Sequence, residues 1–280
     1  MKTIVLTAFA GMAASALAQP IDGVPTIFLE APTQNWGAPM NVAFDTANNQ
    51  YYSGGGGFSS NSAMVYDAAG NLLQDASVPI DLRSFYYNPN TADLEAITFA
   101  AQGGGGNAGL HSIGLDGGGL YDGTTNIELG AVPGLIDSQT VPGYNAGADV
   151  LYSGAAGNSQ VNVVSRASGS LNSSFNLDLS GGRANGTNTI GYDANEGWII
   201  VADSNADQIH VFDTSGNFIG TSNIPQDIGG NWGFGYTNGQ AFVFDNTRGG
   251  WQGYDIGAVP APASLALLGL GGLVATRRRR

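Results

Sequence analysis

Apolar and polar positions alternate in short runs along this chain, and no long stretch shows helical periodicity. Runs of Val, Ile, Phe and Tyr are separated by clusters of Gly, Asn, Ser and Asp, the pattern of short strands joined by tight turns. The clearest unit is TIGYDANEGWIIVADSNADQIHVFDTSGNFIGTSNIP, Thr189 to Pro225. It predicts four strands: Ile190 to Tyr192, Trp198 to Ala202, Gln208 to Phe212, and one beginning at Phe218. The unbroken apolar run Trp198 to Ala202 predicts a strand covered on both faces. Asp213 to Asn217 has the residues of a tight hairpin, with Gly216 free to take positive φ.

The same order of residues recurs at Asn41 to Gln74. Phe44-Asp45 corresponds to Tyr192-Asp193, and Asp67-Ala-Ala-Gly70-Asn71 to Asp213-Thr-Ser-Gly216-Asn217. Looser copies begin at Phe85, Pro142 and Gly233. The turn-starting positions Asp45, Asn88, Asn145, Asp193 and Thr237 are separated by steps of 43, 57, 48 and 44 residues. Steps of that size predict an all-β β-propeller of five blades, or six if the long step hides a further blade. The last copy ends near Ile256 after about three strands. Thr26 to Leu29 is expected to supply the missing strand and close the ring, leaving no open sheet edge.

Both ends of the chain have a different character. Lys2, the apolar run behind it, and the small residues Ala16 and Ala18 have the order of a secretory signal cleaved near Gln19. The expected organisation is a signal peptide over 1–18, a propeller over 19–257, and a sorting or transmembrane tail over 258–280. In the tail, Ala263 to Thr276 would span roughly 21 Å as a helix, short of the ~30 Å membrane core. Adding Ala258 to Pro262 brings it to a marginal span, with Arg277 to Arg280 held on the cytoplasmic side.

Trimming the ends sharpens the charge. Lys2 and the four terminal arginines are five of the nine basic residues. Arg83, Arg166, Arg183 and Arg248 then stand against 22 acids, a balance of −18. That field disfavours nucleic acid and anionic membranes and attracts cations. The absence of cysteine excludes disulfides, thiolate zinc sites and thiol nucleophiles.

Candidate chemistry is sparse. His111 and His210 are expected on outer strands of different blades, in structural or surface roles. No GxSxG elbow is present. Asp203, Asn205 and Asp207 start a calcium-like DxNxD loop, but Gln208 and Ser215 stand where glycine and the bidentate glutamate belong. These side chains are expected to cap a turn, with Ca²⁺ binding as the secondary reading and no other cofactor. The glycine runs Gly54 to Gly57, Gly103 to Gly106 and Gly117 to Gly119 lack a phosphate-loop lysine and read as hairpin loops. Trp36, Trp232 and Trp251 sit beside Asn and Gly and are candidates for stacking on sugars, whereas Trp198 is expected in the core.

Two resemblances add to this. Val201-Ala202-Asp203, Asn205, Ile209-His210-Val211-Phe212-Asp213 and Gly216 resemble an NHL-type propeller repeat, with Gln208 replacing the usual basic residue. The tail resembles the PEP-CTERM sorting signal: Val259-Pro260-Ala261-Pro262, an apolar segment, then Arg277, Arg278, Arg279 and Arg280. Ala261 replaces the usual glutamate, which points to a variant processing enzyme. The resemblance implies secretion across the inner membrane and an exosortase-type partner. It also implies residence at the cell surface or outside the cell, anchored through the tail. The expected function is a non-enzymatic propeller that binds exopolysaccharide or another surface protein in biofilm material. The alternative is a polysaccharide hydrolase or lyase using paired carboxylates. The axial mouth of the ring should discriminate: two carboxylates in a deep cleft for the enzyme, a shallow glycine-lined rim for the binder.

Overall fold

The computed structural model describes residues 20–32, 37–58, 60–99, 109–230 and 232–257. Two strands come first, β1 (Ile21–Asp22) and β2 (Val24–Glu30). Four meanders follow. They are β3 (Ala38–Asp45) to β6 (Leu72–Val78) through β4 (Gln50–Gly56) and β5 (Asn61–Asp67), and β7 (Tyr86–Asn88) to β10 (Tyr121–Leu129) through β8 (Asp93–Thr98) and β9 (Gly109–Leu115). Next are β11 (Gly143–Asn145), β12 (Val150–Ser153), β13 (Gln160–Ser165) and β14 (Leu171–Asn176), then β15 (Ile190–Asp193), β16 (Trp198–Asp203), β17 (Gln208–Asp213) and β18 (Phe218–Asn223). The last strands are β19 (Phe234–Thr237), β20 (Gln240–Asp245) and β21 (Gly250–Asp255). No helix occurs among the described residues.

The inner strand of each blade ends at the turn-starting residue expected from the sequence: Asp45, Asn88, Asn145, Asp193 or Thr237. In four cases a side-chain oxygen fixes the turn. Asp45 accepts from the Ala47 amide at 2.7 Å, Asn88 from Asn90 at 3.0 Å, Asn145 from Gly147 at 3.1 Å and Asp193 from Asn195 at 2.8 Å. Each takes an amide that the turn would otherwise leave unpaired. The fifth turn is Asn238-Gly239, with φ of 51° and 72°, the backbone that matches hairpin twist.

The core is divided into five clusters, one between each pair of neighbouring blades. This explains the unbroken apolar run in β16. Ile200 and Ala202 pack toward the fifth blade, while Ile199 and Val201 pack toward the third. A strand buried on both faces needs no polar alternation.

Closure follows the expected route. β2 pairs antiparallel with β21, with Leu29 opposite Trp251, and completes the sheet β19-β20-β21-β2. The fifth blade is thus built from both ends of the domain. A further strand not expected from the sequence, β1, adds in parallel to the outer edge of β18. Gly257 lies beside Ile21, so the chain enters and leaves the ring at one place. Asp255 Oδ1 accepts from the Gly257 amide at 2.8 Å, as Asp213 Oδ1 does from Ser215 in the intact hairpin of the fourth blade.

Two expectations are corrected. The long step between Asn88 and Asn145 holds no sixth sheet among the described residues; its length lies in β10, in the connection 130–142 and in residues 100–108, which lie outside the described residues. Gly54, Gly55 and Gly56 are not a loop but the buried end of β4. A Cβ on Gly54 would meet Phe85 at 2.4 Å, and one on Gly56 would meet the Leu82 carbonyl at 2.1 Å. The glycines let the segment before β7 lie directly on the sheet. Gly117 to Gly119 do form a hairpin, where Gly119 takes φ 79°. Gly103 to Gly106 lie outside the described residues.

Candidate functional site

The five inner strands leave an axial cavity of about 380 Å³. Its lining residues are exposed at one end and buried at the other. Thr46, Ala194, Asn195, Asn238 and Gly239, in the turns that follow the inner strands, are exposed. Asn41, Phe85, Pro142 and Thr189, near the strand starts, are buried. The cavity therefore has a mouth at the turns and a floor at the strand starts. The floor is held by Asn41, whose amide donates to the Phe85 carbonyl at 2.8 Å and accepts from the Phe85 amide at 2.7 Å.

Each blade contributes to the wall the aromatic residue immediately before its turn-starting residue. These are Phe44, Tyr87, Tyr144, Tyr192 and Tyr236. The tyrosines also tie the blades together. Tyr236 donates to Asp193 Oδ2, and Tyr144 donates to Asn88 Oδ1 at 3.0 Å. Two seams are thus crossed by a hydrogen bond from a tyrosine to the turn-starting residue of the preceding blade, and at two more Tyr87 and Tyr192 lie close enough to Asp45 and Asn145 to interact with them. The fifth seam has Phe44 facing the position of Thr237, with no hydroxyl on the ring. There Tyr51 substitutes, its hydroxyl accepting from Asn238 at 2.8 Å and Gln240 at 3.2 Å. Burial, reinforced by Asp193, pushes the Tyr236 hydroxyl far above the ordinary tyrosine range, so it stays a donor.

The wall has aromatic rings, hydroxyls and amides. Asp193 is the one acidic residue lining the cavity among the described residues. Its Oδ1 accepts from the Asn195 and Glu196 amides and its Oδ2 from Tyr236, so both oxygens are occupied. Thr189, 1% exposed and on the cavity wall, has an Oγ1 without a hydrogen-bond partner among the described residues. A buried hydroxyl left unpaired in a cavity is a point where a polar ligand or water can bond.

The residues singled out from sequence fall elsewhere. Trp251 is corrected from a sugar contact to core: it is fully buried, edge-on to Phe244 at 5.3 Å between ring centroids. Its place in the third strand of a blade, beneath β2, covers it completely. Trp232 is half-buried in the connection before β19, with the Arg83 guanidinium 5.7 Å from its ring centre, and it does not line the cavity. Asp203 caps the Asn205 amide of its own turn at 3.0 Å, whereas Asp207 accepts at 2.9 Å from the amide of Ile228, 21 residues away. Trp36, Ala16, Ala18, Val259 to Pro262 and Arg277 to Arg280 lie outside the described residues. The five aromatics of the wall are a site not expected from the sequence, although an aromatic residue stands before every turn-starting position.

The histidines lie on the third strands of different blades, as expected. His210 on β17 is fully buried, with Nδ1 2.9 Å from Thr221 Oγ1 and Nε2 3.5 Å from Asp203. Burial holds its imidazole below the ordinary histidine range, against the pull of Asp203. Burial does the same for His111, against Glu128. The unfolded chain therefore binds protons that the folded chain refuses. Stability should be full above about pH 6.5 and fall as pH drops through that value, by up to about 1.4 kcal/mol per pH unit for the fully buried His210. His210→Gln should flatten the dependence of melting temperature on pH between about pH 6.5 and 5. An unchanged slope would show that His210 carries none of it. Asp67, held low by the Asn71 amide, contributes stability that is lost only below about pH 4.

No family model and no curated protein matches this sequence. Among solved structures, the chain is similar to the glutaminyl cyclase of Myxococcus xanthus, at 12% identity and a TM-score of 0.54, over 84% of this chain and 97% of that one. The likeness is one of fold. The chain is a five-bladed β-propeller. It is also similar to a luciferin-regenerating enzyme, at 12% identity and a TM-score of 0.46, over 82% and 94% of the two chains. A third similar structure is regucalcin, a calcium-binding protein from Agrobacterium tumefaciens, at 13% identity and a TM-score of 0.45, over 85% and 95%.

Proposed function

We propose that this propeller is a non-enzymatic carbohydrate-binding protein of the cell surface, engaging exopolysaccharide through its axial mouth. The observation that carries the proposal is the one-ended cavity walled by Phe44, Tyr87, Tyr144, Tyr192 and Tyr236. Flat aromatic faces suit sugar rings, and neighbouring hydroxyls and amides suit their hydroxyl groups. The volume of about 380 Å³ lies in the range of small-ligand sites, enough for the end of a glycan chain. Thr46, Asn195 and Thr237 offer polar side chains at the mouth. The mouth is tyrosine-lined, where a glycine-lined rim was expected of a binder. Paired-carboxylate hydrolysis is less well supported, because Asp193 has both oxygens occupied and no second acid lines the cavity among the described residues. The signal-like start and the PEP-CTERM-like tail support delivery by secretion and handling by an exosortase-type enzyme.

The test is retention on immobilised bacterial exopolysaccharides. The purified protein should be retained by at least one. Asn195→Ala and Thr46→Ala, both exposed and neutral for folding, should each weaken that retention about 5-fold, the worth of one hydrogen bond of roughly 1 kcal/mol. Retention unaffected by either change would place binding elsewhere, and no retention on any polysaccharide would overturn the proposal.

A further inference from the structure

All four basic side chains of the described domain are engaged internally. The Arg183 guanidinium lies 3.8 Å from the centre of the Phe218 ring, and that of Arg248 lies 3.7 Å from the centre of Phe28. Arg83 lies 4.7 Å from the centre of Phe99 and is paired with Asp81 at 3.0 Å. The Arg166 backbone amide donates to the Asp149 carbonyl at 3.0 Å, and its side chain is paired with the fully buried Glu95 carboxylate.

The mouth itself carries the opposite sign. Asp45 and Asp193 end their inner strands, and Asp149 and Glu196 stand in the adjoining turns. No lysine or unengaged arginine offsets them among the described residues. Asp193 lines the cavity itself, and the other three stand behind a wall that includes Phe44, Tyr87, Tyr144, Tyr192 and Tyr236. Aromatic faces backed by carboxylates attract an organic cation through the ring quadrupole and the net charge together. The same surroundings repel a uronate or a sulfated sugar. The unpaired hydroxyl of Thr189 adds, on the wall, a bonding point for a polar ligand, one that the fold itself does not use.

We infer that the axial cavity selects an ammonium-bearing ligand, in particular an amino sugar with a free amine, as in a de-N-acetylated glucosamine polymer. The inference rests on the glycan-binding reading above and gives that site its chemical selectivity. The amine sits among the aromatic faces near Asp193, and the sugar hydroxyls meet Asn195, Thr46 and Thr189. A free amine is charged below its pKa, whereas an N-acetyl group is neutral. The protein should therefore distinguish two polymers that differ only in acetylation.

The test is calorimetric titration of the full chain with three probes: a glucosamine oligomer, the N-acetylglucosamine oligomer of the same length, and choline. The free-amine oligomer should bind at least 10-fold more tightly than the acetylated one, and the preference should shrink at high salt. Asp193→Asn should reduce the preference several-fold while leaving the fold intact, since Asn88 and Asn145 fill the equivalent turn-capping position in two other blades. Equal or tighter binding of the acetylated oligomer overturns the inference and leaves glycan binding standing. Binding of choline with neither oligomer supports the cation site, overturns the assignment to an amino sugar, and leaves the glycan reading to the retention test. Failure of all three probes overturns the inference, whereas the glycan reading is then judged by the polysaccharide retention test.

Discussion

A chain without β2 is expected to lose cooperative folding. β2 is the outer strand of the fifth blade, and its Leu29 is fully buried among Tyr66, Phe242 and Trp251. Losing that one side chain costs about 2–5 kcal/mol, against a total of roughly 5–15 kcal/mol for a domain. Losing the strand also strips the ladder bonds from β21 and bares its edge. Thermal melting followed by circular dichroism measures both changes. Leu29→Ala should remain folded but melt earlier, with about 2–5 kcal/mol less stability. Deletion of residues 20–30 should leave no sharp transition. A deletion variant that melts as the intact protein does would show that the ring closes without its first strands.

The second large effect is expected at the seam between the second and third blades. Glu95 is fully buried and accepts four hydrogen bonds, from Arg166 Nε and Nη2, from Tyr86 and from Asn88. The hydrogen bond with Glu95 holds the Arg166 guanidinium protonated even more firmly than usual. Arg166→Met would leave a buried carboxylate with only neutral donors, at a loss of about 3–5 kcal/mol. The double variant with Glu95→Gln removes the stranded charge and should recover most of that loss. Denaturant titrations of the three proteins check this. A single variant as stable as the parent, or a double variant no better than the single, would overturn the assignment.

Local chemistry was legible in the sequence. Asp45 and Asp193 make their turns by bonding amides two residues ahead, so their place at strand ends follows from short-range geometry alone. The shared hairpin of Asp67 and Asp213 reads out equally well: each accepts from an asparagine side chain four residues on, at 2.8 Å. The missing outer strand could be assigned to Thr26 to Leu29 because an incomplete last unit needed a partner. Contacts between blades were not legible. Tyr236 and Asp193 are 43 residues apart, and Arg166 and Glu95 are 71 apart. Nothing near either partner announces the other until the ring brings neighbouring blades together. Trp251 misled for a related reason: its glycine and glutamine neighbours suggest a loop, yet they are buried strand residues. The glycines of β4 misled in the same way, because their purpose is to admit a segment some 30 residues downstream.

The turn at Asp255 has a practical meaning. The other four blades join their third and fourth strands by a continuous hairpin, whereas the fifth keeps the opening of that hairpin and lacks its tip. The two ends of the described domain, at Ile21 and Gly257, lie side by side on the periphery, away from the inner strands. Anything fused before the first strand or after the last is thereby tethered at one point on the rim. A propeller hung from such a point can swing while its central opening stays clear, as a lamp bracketed at its edge still shines along its axis.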